Sequence, residues 1–397
     1  MKKILIFSHA MELGGAERAL LGLLEAIDTT KYSVDLFLMR HQGELMKYIP
    51  DDVNLLPENK KYSCLAIPMK EVIKRGQFGV AFGRIKGLIA ARKRAKQLNL
   101  GDNDIALEYS HKCTLRYMPP VGDEEYDLAI SFLTPHYFVA DRVKAKKKIA
   151  WIHTDYAFVE VDRHSQLKMW ERYDNIISIS DNAMESFVKT FPTLEEKVSV
   201  IENIMPMQYM SQLADEFSVK DEMPKSEVSL LTIGRFCNAK RMDEIPQICK
   251  RICESGIDAK WYLIGFGGDE ALIRQKIAEA GAEDFVIILG KKENPYPYIK
   301  ACDIYIQPSR YEGKSVAVRE AQILGKPVII TNYATASSQL KDGVDGVIVP
   351  MEIDDCADGI IRVIKDKELQ KTMIENTKNT DYTNANEIEK LYNLIDD

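Results

Sequence analysis

Two glutamates, Glu312 and Glu320, stand in the segment Ser309-Arg-Tyr-Glu-Gly-Lys-Ser-Val-Ala-Val-Arg-Glu-Ala-Gln-Ile-Leu-Gly-Lys-Pro327. The apolar run Ile304-Tyr-Ile-Gln307 ahead of it reads as a strand. Ser315 suits the N-cap of a helix, which Gly325 stops and Pro327 confirms. This spacing leaves Glu312 in the turn before the helix and Glu320 about one turn inside it. Both carboxylates can then face one crevice beyond the strand's end. There they can accept hydrogen bonds from the hydroxyls of a sugar. The free N–H groups of the helix start, around Gly313, Lys314 and Ser315, can meet a phosphate. Two surface glutamates on an ordinary helix would leave the same pattern.

Such a crevice needs a sheet behind it. Lys3-Ile-Leu-Ile-Phe-Ser8 is a continuous apolar run, as expected of a strand covered on both faces. Gly14-Gly15 breaks it, the leucines from Leu20 to Leu24 form a helical stripe, and Tyr32–Met39 is the next strand. This is a βαβ unit, the builder of parallel sheets. Strands at 127–132, 148–152, 176–180 and 198–203 continue the first half, while 62–117 reads as helical and basic. After a polar, Pro-punctuated stretch the pattern restarts at Val228, with strands at 228–234, 260–265, 285–290, 304–307, 327–331 and 346–350. The expected architecture is α/β: two doubly wound, Rossmann-like domains facing an interdomain cleft. Residues 1–204 form the first, 205–227 a linker, 228–375 the second, and 376–397 a tail, read as helical and returning to the first domain. Open α/β sheets bind ligands beyond the carboxyl ends of their strands.

Composition excludes some classes. Net charge is −7 with a sequence pI of about 5.6, so no nucleic-acid partner is expected. The charge is uneven: nine Lys/Arg and one acid, Glu71, lie between Lys70 and Lys96, and Lys144-Ala-Lys-Lys-Lys148 forms a second cluster. These read either as solvated helix faces or as a basic rim for an anionic membrane or a phosphate-bearing acceptor. Seven dispersed cysteines without zinc-ligand spacing suit a reduced compartment. The apolar run at the start is too short for a signal peptide, and no stretch is long enough to span a bilayer. The expected location is cytoplasmic, or peripheral on the inner face of a membrane.

The Glu312/Glu320 segment resembles the Glu-x7-Glu donor site of retaining glycosyltransferase family 4, a GT-B fold family, including its Glu-Gly, Glu-Ala and Gly-x-Pro-Val-Ile pattern. The resemblance implies that Glu312 contacts the transferred sugar and Glu320 the ribose of a nucleotide. It departs at Lys314-Ser315, where the family has an apolar residue and Pro. Thr232-Ile-Gly-Arg-Phe-Cys-Asn-Ala-Lys-Arg241 is similar to the family's Gly-Arg…Lys segment, which gives Arg235 and Lys240 the leaving pyrophosphate; its charge must be neutralised without a metal. Gly265-Phe-Gly-Gly268 matches the next glycine loop, contributing Gly265 and Gly267, and Gly290 to Glu293 falls where family members hold the base. In the first half, Gly14 and Gly15 match a glycine loop whose backbone can approach a phosphate. His153 matches the family's histidine near the reacting carbon, and Ser180 and Asn203 fall at family positions. The segment Thr331–Ser338, after the helix that carries Glu320, is similar to bacterial surface-polysaccharide transferases.

The resemblance implies a retaining, metal-independent hexosyltransferase. Its co-substrate would be a nucleotide-sugar, UDP-linked on family grounds, and its acceptor a glycan or lipid-linked saccharide. Donor would bind the second domain and acceptor the first. Asp102-Asn-Asp104 spells the metal-binding Asp-x-Asp of another transferase class, but after Gly101 an Asx turn accounts for it better. A non-hydrolysing nucleotide-sugar epimerase and a non-catalytic GT-B partner subunit are the alternatives.

Overall fold

The computed structural model describes residues 1–396 apart from 13, 101–103, 123, 155, 157–158 and 313–314, and apart from the side chain of residue 104. The chain divides into two compact units, Met1–Pro206 with Asn384–Asp397, and Met207–Thr383.

The first unit is built on seven strands: β1 (Lys2–Ser8), β2 (Tyr32–Leu38), β3 (Asn54–Leu55), β4 (Glu125–Ser131), β5 (Lys144–Ile152), β6 (Asn175–Ser178) and β7 (Val198–Val200). Their order is β3-β2-β1-β4-β5-β6-β7, and the paired strands run parallel. Ile4, Leu5, Ile6 and Phe7 are all fully buried, which is why β1 is apolar without alternation. The lysine cluster 144–148 is not a helix face, and its Lys144 and Lys146 are exposed. It is the first half of β5, where Lys146 pairs with Asp127 at 2.7 Å and Lys148 donates to the Ala140 carbonyl at 2.8 Å. The basic stretch does fold as helices, Met69–Lys74 and Phe78–Leu98, followed by Asp104–Thr114.

The second unit carries β8 (Val228–Ile233), β9 (Ala259–Ile264), β10 (Val286–Gly290), β11 (Ile304–Gln307), β12 (Val328–Thr331) and β13 (Val347–Val349), in the order β10-β9-β8-β11-β12-β13, again parallel. Its core joins Trp261, Leu230 and Ile329 from the sheet to Ile245, Ile248 and Ile252 on one helix and Ile360 and Val363 on another. The stretch read above as a linker contains a helix, Met207–Ala214, that belongs to this unit. Its Tyr209, Met210 and Leu213 are buried, and Tyr209 packs edge-on against Tyr296. Polar composition hid an apolar stripe there.

The chain's last segment returns to the first unit. Its helix Ile388–Asp396 stacks Tyr392 on Tyr32, with ring centroids 4.7 Å apart, and the Tyr392 hydroxyl accepts a 2.7 Å hydrogen bond from the Asp28 N–H. Residues 376–383 stay with the second unit. Among the described residues, no helix is long and apolar enough to cross a membrane.

Candidate functional site

In the second unit the carboxyl ends of β8, β9, β10 and β11 carry most of the residues singled out by sequence. β11 delivers a buried polar relay. The Tyr305 hydroxyl donates to Gln307 Oε1 at 2.8 Å, Gln307 Nε2 donates to Ser309 Oγ at 3.0 Å, and Ser309 Oγ–H donates to Glu312 Oε1 at 2.7 Å. Tyr305, Gln307 and Ser309 are wholly buried, so each must be hydrogen-bonded, and the chain of bonds fixes one face of the Glu312 carboxylate. Lys240 comes from the turn after β8 and forms an ion pair with the same oxygen, both side chains being mostly buried. The Thr335 hydroxyl donates to the Glu312 carbonyl at 2.7 Å.

The loop bearing Lys240 is fastened to the loop bearing Glu312 by a second network. Arg310 binds Asp243 through both terminal nitrogens at 2.9 Å, reaches Glu244 at 2.6 Å, and donates to the Asn238 carbonyl at 2.8 Å. The guanidinium, lying beside Asp243, works to hold that carboxyl below its usual range, although burial pushes the other way. Arg241 is buried in a left-handed conformation and bonds Glu244 at 2.7 Å. A two-pronged arginine–carboxylate contact has little rotational freedom, so the two loops are positioned together.

Ser315 occupies the N-cap position of the helix Val316–Ile323, but its side chain makes no capping bond. Its backbone N–H donates instead to Gln339 Oε1 at 2.6 Å. Glu320 lies inside this helix, is buried, and accepts a 3.0 Å hydrogen bond from the Tyr296 hydroxyl. Gly313 and Lys314 lie outside the described residues. Arg235, in the loop after β8, is exposed and has no ion-pair partner among the described residues. Gly265 and Gly267 of the β9 loop lie packed against neighbouring backbone. A Cβ on Gly265 would overlap the Gly234 carbonyl oxygen and one on Gly267 the Phe236 carbonyl oxygen, because the β8 and β9 loops run backbone to backbone. Gly290 ends β10 with a positive φ of 73° and accepts from the Gly265 N–H at 3.0 Å.

The remaining candidates belong to the first unit. Gly14 and Gly15 open the helix Gly15–Ala26; space is empty beside Gly15, whereas the Glu17 carboxylate curls over Gly14. Burial raises the Glu17 carboxyl pKa. His153 lines a cavity of about 190 Å³ together with Glu108, His111, His136, Tyr156 and Trp170. Burial lowers its pKa to about 4, opposed by a hydrogen bond to the Phe132 backbone, and its buried Nε2 has no partner among the described residues. A neutral ring with a free nitrogen is able to bind a ligand hydroxyl. Glu108, also buried, accepts from the Tyr137 hydroxyl at 2.9 Å, and desolvation raises its pKa. Ser180 is a helix cap, accepting from the Ala183 N–H at 3.3 Å. Asn203 offers its carbonyl to Asn384 at 3.3 Å.

Sequence reasoning overlooked Ser309, Gln307, Arg310, Tyr296 and the Glu108 cavity. One signal was present: Gln307 is a polar residue on an otherwise apolar buried strand, and such a residue needs a partner. Among the described residues, no group of three or more His, Cys, Asp or Glu side chains could hold a metal ion. Asp102 and Asn103 lie outside the described residues.

Residues 214–380 match the family model described as "Glycosyl transferases group 1". The chain is similar to N-acetyl-alpha-D-glucosaminyl L-malate synthase of Bacillus anthracis, with 28% identity over 174 residues covering 44% of each chain. It is also similar to an Escherichia coli UDP-Gal:alpha-D-GlcNAc-diphosphoundecaprenol alpha-1,3-galactosyltransferase, with 22% identity over 228 residues, 56% of this chain and 59% of that one. The chain spans roughly half the length of the curated relatives it matches. Over its full length it resembles a variant of Staphylococcus aureus TarM solved with Fondaparinux, alpha-GlcNAc-glycerol and UDP, with a TM-score of 0.59, 14% identity and 100% of both chains covered. That likeness establishes the GT-B fold.

Proposed function

We propose that this GT-B chain is a glycosyltransferase that takes a hexosyl group from a nucleotide-sugar, UDP-linked, and passes it to a glycan or lipid-linked acceptor with retention at the anomeric carbon. The observation that carries the reading is the meeting of Lys240 and Glu312 at the ends of β8 and β11, inside the segment that matches the group 1 model. A nucleotide-sugar presents a pyrophosphate directly bonded to a sugar. It therefore needs a cation beside a hydroxyl acceptor, and this pair supplies both. In the proposal Lys240 and Arg235 neutralise the charge that develops on the leaving diphosphate. Glu312 turns from Lys240 toward the sugar, and Glu320 binds the ribose. Ser315 and the β9 and β10 loops, with Gly265, Gly267 and Gly290, shape the nucleotide seat. His153 contributes a neutral imidazole to a sugar hydroxyl, and Gly14–Gly15 a backbone approach to phosphate.

No nucleophile is assigned, so the attack is same-face and substrate-assisted through a short-lived oxocarbenium. The names of the relatives support the substrate class: one carries UDP-Gal and a diphosphoundecaprenol-linked sugar, and TarM was solved with UDP. The test is incubation with a panel of nucleotide-sugars and acceptor glycans, with and without a chelator, following the anomeric proton of the product by NMR. Transfer with retained configuration, undiminished by chelation, is expected. An inverted product discards the mechanism. A new sugar nucleotide formed without acceptor identifies an epimerase, and no turnover of any donor identifies a non-catalytic subunit.

A further inference from the structure

We infer that the helix Phe78–Leu98 of the first unit is a docking face for an anionic lipid bilayer. The helix is built inside out. Its inward face is small: a Cβ on Gly83 would overlap Thr114 and one on Gly87 would overlap the Tyr109–Ser110 backbone, so the helix lies directly against Asp104–Thr114. Its large apolar side chains point the other way. Phe78, Phe82, Ile85 and Ile89 follow the i, i+4, i+7, i+11 spacing of a single stripe, and they are 67%, 55%, 47% and 63% exposed. Apart from the Arg116 guanidinium, which lies 5.7 Å from the centroid of the Phe82 ring, these side chains are left facing outward, and an exposed apolar stripe of this kind marks an interaction surface.

Charge identifies the occupant. Lys86, Arg92, Lys93 and Lys96 are exposed on the same helix, and none has an acidic partner among the described residues. The other two cations of the helix are engaged: Arg84 donates to the carbonyls of Cys64 and Ile67, and Arg94 pairs with Asp162 at 2.7 Å. Four unpaired cations, within a stretch 70–96 that holds nine basic residues and one acid, thus sit on a chain of net charge −7. An apolar stripe beside unpaired cations, running along the outer side of a helix about 30 Å long, matches a helix lying in a bilayer interface. Apolar side chains enter the acyl boundary there while lysines meet anionic headgroups, and the two attractions together give stable attachment. A protein partner would need matching acids placed along the same line; an anionic bilayer offers them everywhere.

The inference does not rest on the donor-site reading. The full chain is sedimented with vesicles of phosphatidylcholine alone and of phosphatidylcholine with phosphatidylglycerol. Binding to the mixed vesicles, weakened by added salt, is expected. Phe82→Asp with Ile89→Asp, and separately Lys86→Glu with Lys93→Glu, should each reduce it on the order of tenfold or more. Melting temperature and the thermal shift produced by UDP should stay at the parent's values, because these side chains touch neither core nor nucleotide seat. Absence of binding to mixed vesicles, or binding indifferent to both pairs of substitutions, overturns the proposal. So does a chain that ignores vesicles but passes from dimer to monomer on Phe82→Asp with Ile89→Asp, which assigns the face to a second copy.

Discussion

Replacing Glu312 with Gln isolates the charge of one carboxylate while keeping its shape. Glu312 Oε1 receives the Ser309 hydroxyl at 2.7 Å and the Lys240 ammonium, and both members of the ion pair are less than one-fifth exposed. The amide oxygen of Gln can still accept both bonds, so the loss is the charge-assisted part of the Lys240 contact. Hydrogen bonds to charged groups contribute about 1.5–3 kcal/mol, and a cation left without its counter-charge in a mostly buried site is costly as well. A net loss of about 2 kcal/mol is expected. For a unit of this size that lowers the melting temperature by roughly 4–8 °C. The functional effects should split. Lys240, released from its carboxylate, is freer to meet phosphate, so stabilisation by UDP should be retained or increased. Transfer should fall on the order of a hundredfold, the usual effect of removing one charged contact to a reacting group. Differential scanning calorimetry with and without UDP, beside initial transfer rates, reads all three. Adding Lys240→Met completes a double-mutant cycle, in which a coupling energy near 2 kcal/mol is expected. A Glu312→Gln chain that melts with the parent and transfers at the parental rate refutes the coupling argued here.

Acid should unfold the two units in a set order. Every histidine of the chain lies in the first unit, and burial lowers the pKa of His111 and His136 to about 3 and of His153 to about 4. Their folded-state values lie below the ordinary 6.5, so the unfolded chain binds the extra protons and stability falls as pH drops from about 6.5 toward 4. Each contributes about 1.4 kcal/mol per pH unit in that window, while Glu108, whose pKa burial raises, acts in the opposite sense. Calorimetry from pH 7.5 to 4.5 should show the transition of the first unit moving down steeply and that of the second moving little; parallel movement contradicts the assignment. Gly267→Ala should destabilise the second unit by on the order of 2 kcal/mol or more, since its Cβ would strike the Phe236 carbonyl. A melting temperature unchanged by this substitution shows that the β8 and β9 loops can separate without cost.

The donor-like helix was legible in sequence because its punctuation is local: Pro308 after the strand, Gly325 and Pro327 after the helix, with the glutamates between. What holds it was not. Arg310 and Asp243, or Lys240 and Glu312, are brought together only by the adjacency of β8 and β11, which no local pattern encodes. The helix 78–98 was legible as helical and basic, but its outward apolar stripe was not. Its apolar residues have helical spacing, and periodicity alone assigns such a stripe to a core. Only the glycines on the opposite face reverse that assignment, and their meaning appears once Asp104–Thr114 lies against them. The helix within the stretch read as a linker was hidden for a related reason: Tyr209, Met210 and Leu213 are dispersed among polar residues, and their common face is visible only against Tyr296.

The return of residues 384–397 to the first unit sets a schedule for the chain as it is made. Stretches 1–206 and 384–397 must come together to finish one fold, yet 177 residues separate them. At synthesis rates of 5–20 residues per second, the first unit waits on the order of ten to thirty seconds for its last helix. The inserted unit is contiguous in sequence and can close first. Until Tyr392 arrives, Tyr32 presents its ring to water and the Asp28 N–H lacks its acceptor. Of the two units, the one whose strands are made first is therefore the one completed last.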